Sequence, residues 1–151
     1  MNRIIGIIGG SSCDEGIGEI AYQVGRAVAE HGAILICGGM GGVMEQACRG
    51  ARDAGGLTIG VLPGTSINSA NPYVDVPIAT GMGEARNVII TRTAQAVIAI
   101  DGRYGTLSEI AYAIIFRKPI IGIKTWEIKA PIKKANSAEE AVELALRLIK
   151  R

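Results

Sequence analysis

The sequence predicts a single Rossmann-like α/β domain with three layers, α/β/α, around a doubly wound and mainly parallel sheet. Short apolar runs alternate along the chain with stretches whose apolar residues recur every three or four positions, as expected of strands and amphipathic helices. Because the short runs are apolar throughout, both faces of the sheet must be covered. At 151 residues, with 48% apolar and 20% charged residues, the chain is expected to form one domain over 1–151.

The N-terminal part of the chain predicts three strands separated by two helices. Strands are expected at 4–8, 33–37 and 57–62, which are mostly apolar. A helix is expected at 15–30, where apolar residues recur at helical spacing and Gly32 follows the end. A second helix, at 43–54, is ended by Gly55 and Gly56.

The rest of the chain continues this alternation after a polar loop. Residues 63–72 are rich in Pro, Gly, Ser and Asn and predict a surface loop, followed by a weaker strand at 73–79. An irregular stretch at 126–134 precedes a last helix at 137–150, where Ser137 and Glu140 have the spacing of a capping box. Between these segments, the expected helices are 84–93 and 106–116, and the expected strands are 96–100 and 120–123.

Four loops, at 9–12, 38–42, 80–86 and 101–106, are expected to share one rim of the sheet. The first three strands should run outward in the order 3-2-1, with the strand at 73–79 joining strand 1 on its other side. This order places a ligand crevice at the carboxyl ends of the strands. The glycine-containing loops there lead into helix N-termini, whose unpaired N–H groups attract phosphate; the alternative is that the glycines only form tight turns. The candidate ligand-binding residues are Gly10, Ser11, Ser12, Gly38, Gly39, Gly41, Gly42, Asp101, Gly102, Arg103, Gly105 and Thr106.

Composition and missing motifs disfavour several function classes. The net charge is +2 with scattered basic residues, so no nucleic-acid partner is expected. Neither a Walker loop nor the dinucleotide-binding glycine pattern occurs, which disfavours an NAD-dependent dehydrogenase. The three cysteines lack metal-ligand spacing, so no metal site is predicted. No signal-peptide pattern is present and the apolar run at 110–123 is interrupted, so we expect a cytoplasmic protein without a membrane span.

Two charged residues, Arg86 and Glu109, are candidate catalytic residues. Arg86 is expected to begin the helix after the fourth strand, and Glu109 to lie in the first turn of the helix after the fifth. If those strands are neighbours, Arg86 can hold a phosphate while Glu109 stabilises positive charge or transfers a proton. The alternatives are a capping box of Thr106 with Glu109 and a surface ion pair for Arg86. Tyr104 and Trp126 are interpreted as packing residues.

Several motifs occur in the order that is found in one protein family. Residues 102–109, Gly-Arg-Tyr-Gly-Thr-Leu-Ser-Glu, follow Glu-Ala-Arg-Asn at 84–87, and Cys-Gly-Gly-Met-Gly-Gly-Val-Met stands at 37–44. These residues resemble the LONELY GUY, or lysine-decarboxylase-like, superfamily. It includes cytokinin riboside 5′-monophosphate phosphoribohydrolases and molybdenum cofactor carrier proteins. The short chain and its C-terminal Ser-Ala-Glu-Glu-Ala helix look closest to the carrier branch.

The resemblance also assigns roles to the candidate residues. In the phosphoribohydrolase branch the signature is Pro-Gly-Gly-x-Gly-Thr-x-x-Glu after an Arg-Lys pair, and its arginine and glutamate serve in cleavage of an N-glycosidic bond. This implies those roles for Arg86 and Glu109, with phosphate held by the glycine-threonine stretch. Three positions depart from the signature, since Asp101 replaces proline, Arg103 replaces glycine and Asn87 replaces lysine. The side chain at 103 either crowds the phosphate or supplies a second cation.

Two functions are therefore implied. The first is binding of a phosphorylated pterin or nucleotide, such as the molybdenum cofactor, without chemistry and without any further cofactor. The second is hydrolysis of a nucleoside 5′-monophosphate to base and ribose 5-phosphate. The altered signature favours binding and leaves enzymatic activity open, while no pyridoxal-phosphate lysine site supports lysine decarboxylation. The resemblance also implies a homodimer or a higher homo-oligomer.

Overall fold

A computed structural model describes residues 2–149, which form seven strands and five α-helices. The strands are β1 (Ile4–Gly9), β2 (Ile34–Cys37), β3 (Thr58–Leu62), β4 (Val76–Ala79), β5 (Ala96–Ile100), β6 (Ile120–Ile123) and β7 (Ile132–Lys134). The α-helices are α1 (Glu15–Glu30), α2 (Val43–Asp53), α3 (Asn87–Thr93), α4 (Tyr104–Ile115) and α5 (Ala138–Leu148). Short 3₁₀ turns lie at Ile67–Ser69 and Gly83–Arg86. None of the helices within 2–149 combines the length and apolarity needed to cross a bilayer.

The strands form one fully parallel sheet in the order β4-β3-β2-β1-β5-β6-β7. The register pairs Ile5 of β1 with Leu35 of β2, and Ile7 of β1 with Ile98 of β5. The chain therefore winds outward from β1 to one edge, returns to the centre at β5 and winds to the other edge. This arrangement confirms the predicted doubly wound, Rossmann-like α/β fold.

The expected position of the fourth strand was wrong. β4 lies at the outer edge beside β3, with Ile78 opposite Val61, and β5 is the strand that joins β1. The reason lies in the residues: β5 is buried throughout, as a central strand must be. β4 is largely exposed and contains Pro77, which cannot donate to a neighbouring strand. The switch in strand order consequently lies between β1 and β5.

Alternating side chains of the strands build two cores. On one face Ile98 and Ile100 pack with residues of α1, α2 and α5. On the other face Val97 and Ala99 pack with Ile90 of α3 and with residues of α4. Because the inner strands β1, β2, β5 and β6 bury both of their faces, the sequence shows continuous apolar runs there rather than alternation.

Helices α1 and α2 pack at unusually close range. Gly25 of α1 and Gly50 of α2 are both buried. A methyl group on Gly25 would overlap the carbonyl group of Ala47, and one on Gly50 would overlap that of Tyr22. The absence of these two side chains lets the helix backbones touch, which fixes how the loops that precede both helices meet.

Three local predictions need correction. Helix α4 begins at Tyr104, earlier than expected, and α3 begins at Asn87 after a 3₁₀ turn. The stretch predicted as irregular contains β7, which pairs with β6. Ser137 does cap α5 by accepting the Glu140 N–H, whereas the Glu140 carboxylate accepts from Asn136. The predicted last residue of that helix, at 150, lies outside the described residues.

Candidate ligand-binding crevice

A crevice of about 490 Å³ lies beyond the carboxyl ends of the central strands. The loops after β1, β2 and β5 meet there: the Val43 N–H donates to the Gly10 carbonyl at 3.0 Å, and Gly102 lies beside Gly10. The predicted site residues that line the crevice are Gly10, Ser11, Ser12, Gly38, Arg86, Arg103, Gly105, Thr106 and Glu109. The loops after these three strands thus open at the same end of the sheet.

Five predicted site residues shape the rim without lining the crevice. They are Gly39, Gly41, Gly42, Asp101 and Gly102. Gly42 has φ 60° and lies against the 10–12 loop, so a side chain there would collide with that backbone. Asp101 has φ 51° and its carbonyl accepts the Thr125 hydroxyl at 2.7 Å, which ties the loop after β6 to the rim. In this structure these five residues form the turns of the rim.

The helices that begin at this rim differ in how their first turns are satisfied. The Asp14 carboxylate caps α1 by accepting the Ile17 N–H at 2.8 Å, so the expected unpaired, anion-attracting end is absent there. Helices α2 and α4 have no side-chain cap, and α4 also has no acidic residue in its first turn. Residues Tyr104, Gly105 and Thr106 of that turn line the crevice. The N-terminus of α4 therefore presents uncapped N–H groups to the crevice, and the exposed carboxylate of Glu84 lies beside it.

Arg86 reaches the crevice although β4 and β5 are not neighbours, because the segment after β4 crosses back over β3. Its guanidinium makes four hydrogen bonds, to Val61 O at 2.9 Å, Gly38 O at 3.4 Å, Glu84 Oε2 at 3.4 Å and Asn87 Oδ1. These bonds use most of its N–H groups. Arg86 thus joins the ends of β2 and β3 beneath the crevice, and it lacks the pair of free N–H groups needed for bidentate phosphate binding.

Glu109 is the sixth residue of α4 and is only 7% exposed. Since the helix begins at Tyr104 without a side-chain cap, the capping-box alternative for Thr106 and Glu109 is wrong. Among residues 2–149 no donor reaches the Glu109 carboxyl, yet the side chain lines the crevice. Burial raises its pKa to about 8, the Arg86 charge opposes this rise, and Cys37 and Glu84 add to it. At neutral pH the carboxyl is therefore mostly protonated.

Sequence reasoning missed several crevice residues. They are Gly9, Met40, Met44, Pro63, Glu84, Asn87 and Tyr104. Asn87 is 2% exposed and donates to the Ser108 hydroxyl at 3.2 Å, linking the beginnings of α3 and α4. Tyr104 was interpreted as a packing residue but is 81% exposed. Its position at the beginning of a helix that follows a central strand was the available signal.

Parallel strands with a strand-order switch and glycine loops at the switch define a Rossmann-like α/β protein. The family model of the SLOG cluster4 family matches residues 2–148, and the chain belongs to that family. The resemblance to the LONELY GUY superfamily is thereby confirmed.

Curated relatives agree with this membership. An uncharacterized protein of Archaeoglobus fulgidus is 43% identical over 142 residues, which cover 94% of this chain and 93% of that protein. The cytokinin riboside 5′-monophosphate phosphoribohydrolase of Mycobacterium tuberculosis is 33% identical over 121 residues, 72% of this chain and 63% of the enzyme. The matched region therefore covers less than two thirds of that enzyme.

Two solved structures match nearly the whole length of the chain. The molybdenum cofactor binding protein of Rippkaea orientalis superposes with a TM-score of 0.93 and 35% identity, covering 99% of each chain. The molybdenum cofactor carrier protein of Chlamydomonas reinhardtii gives a TM-score of 0.89 and 33% identity, covering 99% of this chain and 100% of the carrier. Proteins described as binding or carrying the molybdenum cofactor thus superpose on nearly the whole chain, in agreement with the predicted resemblance to the carrier branch.

Proposed function

We propose that this protein binds a phosphorylated, nucleotide-like ligand of the molybdenum cofactor type, with the phosphate at the N-terminus of α4. One observation carries the proposal: the first turn of α4 has neither a side-chain cap nor an acidic residue, and it lines the crevice. Its N–H groups and the helix dipole attract an anion. Solved proteins of the same fold that are described as binding or carrying the molybdenum cofactor support this class of ligand.

The surrounding residues suit a phosphorylated pterin or nucleotide. Gly10 and Gly105 have no side chain, so a phosphate can approach their backbones. Arg103 is exposed at the rim, so its guanidinium, unlike that of the buried Arg86, is available to a phosphate. Protonated Glu109 does not repel the phosphate and can donate a hydrogen bond to the ligand.

A charge introduced into α4 tests the proposal. Gly105→Asp puts a carboxylate in the exposed first turn of α4, where it repels a phosphate. The helix dipole favours this carboxylate, and the repulsion by the neighbouring, exposed Glu84 opposes that gain. Two probes are used with the purified protein: AMP, followed by calorimetry, and molybdenum cofactor released anaerobically from a molybdoenzyme, followed by molybdenum retained after gel filtration. We expect wild type to bind at least one probe and Gly105→Asp to lose that binding without losing stability.

The matched control is Gly16→Asp. It places the same charge at the same position of α1, whose end is already capped by Asp14 and lies outside the crevice. This variant should bind like wild type. Failure of wild type to bind either probe, or equal binding by Gly105→Asp, would contradict the proposal.

A second function, hydrolysis of a nucleoside 5′-monophosphate, is favoured by a separate observation: Arg86 and Glu109 line the same crevice. In that reaction water attacks the anomeric carbon, the bond to the base breaks, and the base leaves with a proton. With its pKa raised to about 8, Glu109 is suited at neutral pH to donating that proton. The relative described as a phosphoribohydrolase is 33% identical over the matched region.

Product analysis separates the two functions. The protein is incubated with a panel of nucleoside 5′-monophosphates, and free base and ribose 5-phosphate are quantified by chromatography. Release that disappears in Glu109→Gln would establish the hydrolase. Retention of intact ligand without release would support the carrier.

The remaining proposals concern assembly and location. We propose that the protein is a homodimer or a higher homo-oligomer, that it needs no cofactor besides the ligand it carries, and that it acts in the cytoplasm. Light scattering should give at least twice the 15.7 kDa of one chain. A mass of one chain would contradict the oligomer.

A further inference from the structure

The crevice contains an aromatic side chain beside the proposed phosphate position. Tyr104 is the first residue of α4 and lines the crevice while remaining 81% exposed. An aromatic ring of this size gains little from burial when it is so exposed, so packing does not account for it. The next two residues, Gly105 and Thr106, belong to the turn to which we assign the phosphate.

Trp126 lies next to the Tyr104 ring. The two ring centroids are 6.1 Å apart with an interplanar angle of 32°. The Trp126 indole N–H donates to the Arg103 carbonyl at 3.0 Å, and the Thr125 hydroxyl donates to the Asp101 carbonyl at 2.7 Å. Two hydrogen bonds thus join the loop after β6, which carries Trp126, to the loop after β5, which leads to Tyr104.

We propose that the planar heterocycle of the ligand stacks on the exposed Tyr104 ring, with Trp126 as a positioning residue beside it. This inference rests on the proposed function, because it assumes that the phosphate of the same ligand lies at the first turn of α4. Stacking on an aromatic ring tolerates different heterocycles, since every base or pterin has a π face. The pair therefore selects for a planar heterocycle and not for one particular base.

A second cavity offers another position for the ring. It measures about 670 Å³, and its lining includes Trp126, Ile128, Ile132, Lys124 and Lys134. Tyr104 is not part of its lining. A heterocycle in that cavity would contact Trp126 directly and would not depend on Tyr104, so the two positions respond differently to a Tyr104 variant.

The test compares ligands with and without a heterocycle. GMP, AMP and ribose 5-phosphate are titrated into wild type, Tyr104→Ala and Tyr104→Phe by calorimetry, and the fluorescence of Trp126, the one tryptophan of the chain, is recorded. Tyr112→Ala, on the same helix but outside the crevice, is the matched control. We expect Tyr104→Ala to weaken nucleotide binding about 5- to 150-fold. Its binding of ribose 5-phosphate should not change, and Tyr104→Phe and Tyr112→Ala should bind like wild type.

Each other outcome overturns the inference in a recognisable way. If ribose 5-phosphate binds and Tyr104→Ala binds nucleotides like wild type, the stacking proposal fails while the phosphate site stands. If nucleotides change Trp126 fluorescence equally in wild type and Tyr104→Ala, the ring lies in the 670 Å³ cavity instead. If none of the three compounds binds, the phosphate site assumed here fails and the stacking proposal fails with it.

Discussion

Arg86 and Glu109 line one crevice, but they differ in their hydrogen bonds to the rest of the protein. Arg86 donates to acceptors on β2, β3 and the turn before α3. Glu109 is nearly as buried and, within the described part of the chain, accepts from no donor. Arg86 therefore holds the crevice together, while Glu109 has its hydrogen-bonding capacity free for a ligand.

The titration of Glu109 should appear in the stability of the protein. Its pKa rises from the ordinary 4.5 to about 8 on folding. The folded state therefore holds a proton that the unfolded state releases between these values. The contribution of this group is fully present below about pH 4.5 and is lost as the pH rises through 8. Glu109→Gln should equal wild type at pH 5 and exceed it by roughly 1–4 kcal/mol at pH 8.5, measured by urea unfolding.

Glu84→Gln is the matched control for this prediction. Glu84 also lines the crevice, but its side chain is 80% exposed. The substitution removes only the smallest contribution to the raised pKa of Glu109, so the pH dependence should stay close to that of wild type. If Glu109→Gln loses stability between pH 5 and pH 8.5 as steeply as wild type does, Glu109 is ionised in the folded protein and the proposed hydrogen bond to the ligand is excluded.

The side chain of Arg103 can be tested in both of its possible roles. It is exposed at the N-cap of α4 and makes no capping bond. As a second cation, Arg103→Ala should weaken binding of ribose 5-phosphate by about three- to tenfold at low salt, and by less at high salt. Calorimetry at two salt concentrations measures this, with Arg147→Ala on α5 as the control. Tighter binding by Arg103→Ala would instead mean that the side chain crowds the phosphate.

Individual site residues were predictable to different degrees. Arg86 and Glu109 were identified because their spacing resembles a family motif, and both line the crevice. Gly42 and Gly102 were assigned to the ligand, yet their φ values of 60° and 109° and their crowded neighbours place them in the turns themselves. Whether a loop glycine faces a ligand or another loop depends on contacts between distant segments, which a sequence does not contain.

At the scale of elements, the sequence predicted which helices and strands form better than it predicted where each begins and ends. The six strands that were expected all form. Five of them lie in mostly apolar runs, which permit few alternatives, whereas β4 forms at the edge with an exposed pattern that includes Pro77. The beginning of α4 was misplaced because no Ser, Thr, Asp or Asn stands at its N-cap, where Arg103 lies instead. That missing cap is the feature to which we assign phosphate binding, so the rule for helix starts fails at the position of the proposed site.

The contact between α1 and α2 gives a prediction at this scale. In Gly25→Ala the new methyl group collides with the Ala47 backbone, which cannot withdraw without separating the helices. The variant should lose about 1–3 kcal/mol of unfolding free energy, measured by urea titration. Gly18→Ala lies on the same helix with ordinary van der Waals neighbours and should gain up to about 1 kcal/mol from helix propensity. Equal effects of the two substitutions would mean that the helices do not touch at Gly25.

At the scale of the molecule, the fold class followed from the sequence but the strand order followed only in part. The run 3-2-1 was expected and observed, whereas the strand at 73–79 was placed beside β1. Its exposed pattern and Pro77 indicate an edge strand. The alternation of strands and helices along the chain does not contain this information. The crevice was nevertheless predicted correctly in outline, since β1, β2 and β5 end at one rim in either order.

Ligand binding should stabilise parts of the molecule that the ligand does not touch. Helix α5 lies outside the crevice but shares a core with α1 and β5, and the loop after β5 lines the crevice. If the domain unfolds as one unit, a ligand at 100 times its Kd adds about 2.7 kcal/mol to every amide that exchanges by global unfolding. Hydrogen exchange with saturating AMP should therefore slow in α5 as much as in β5. Protection confined to the rim loops would mean that the crevice opens locally and that its ligand holds only the rim together.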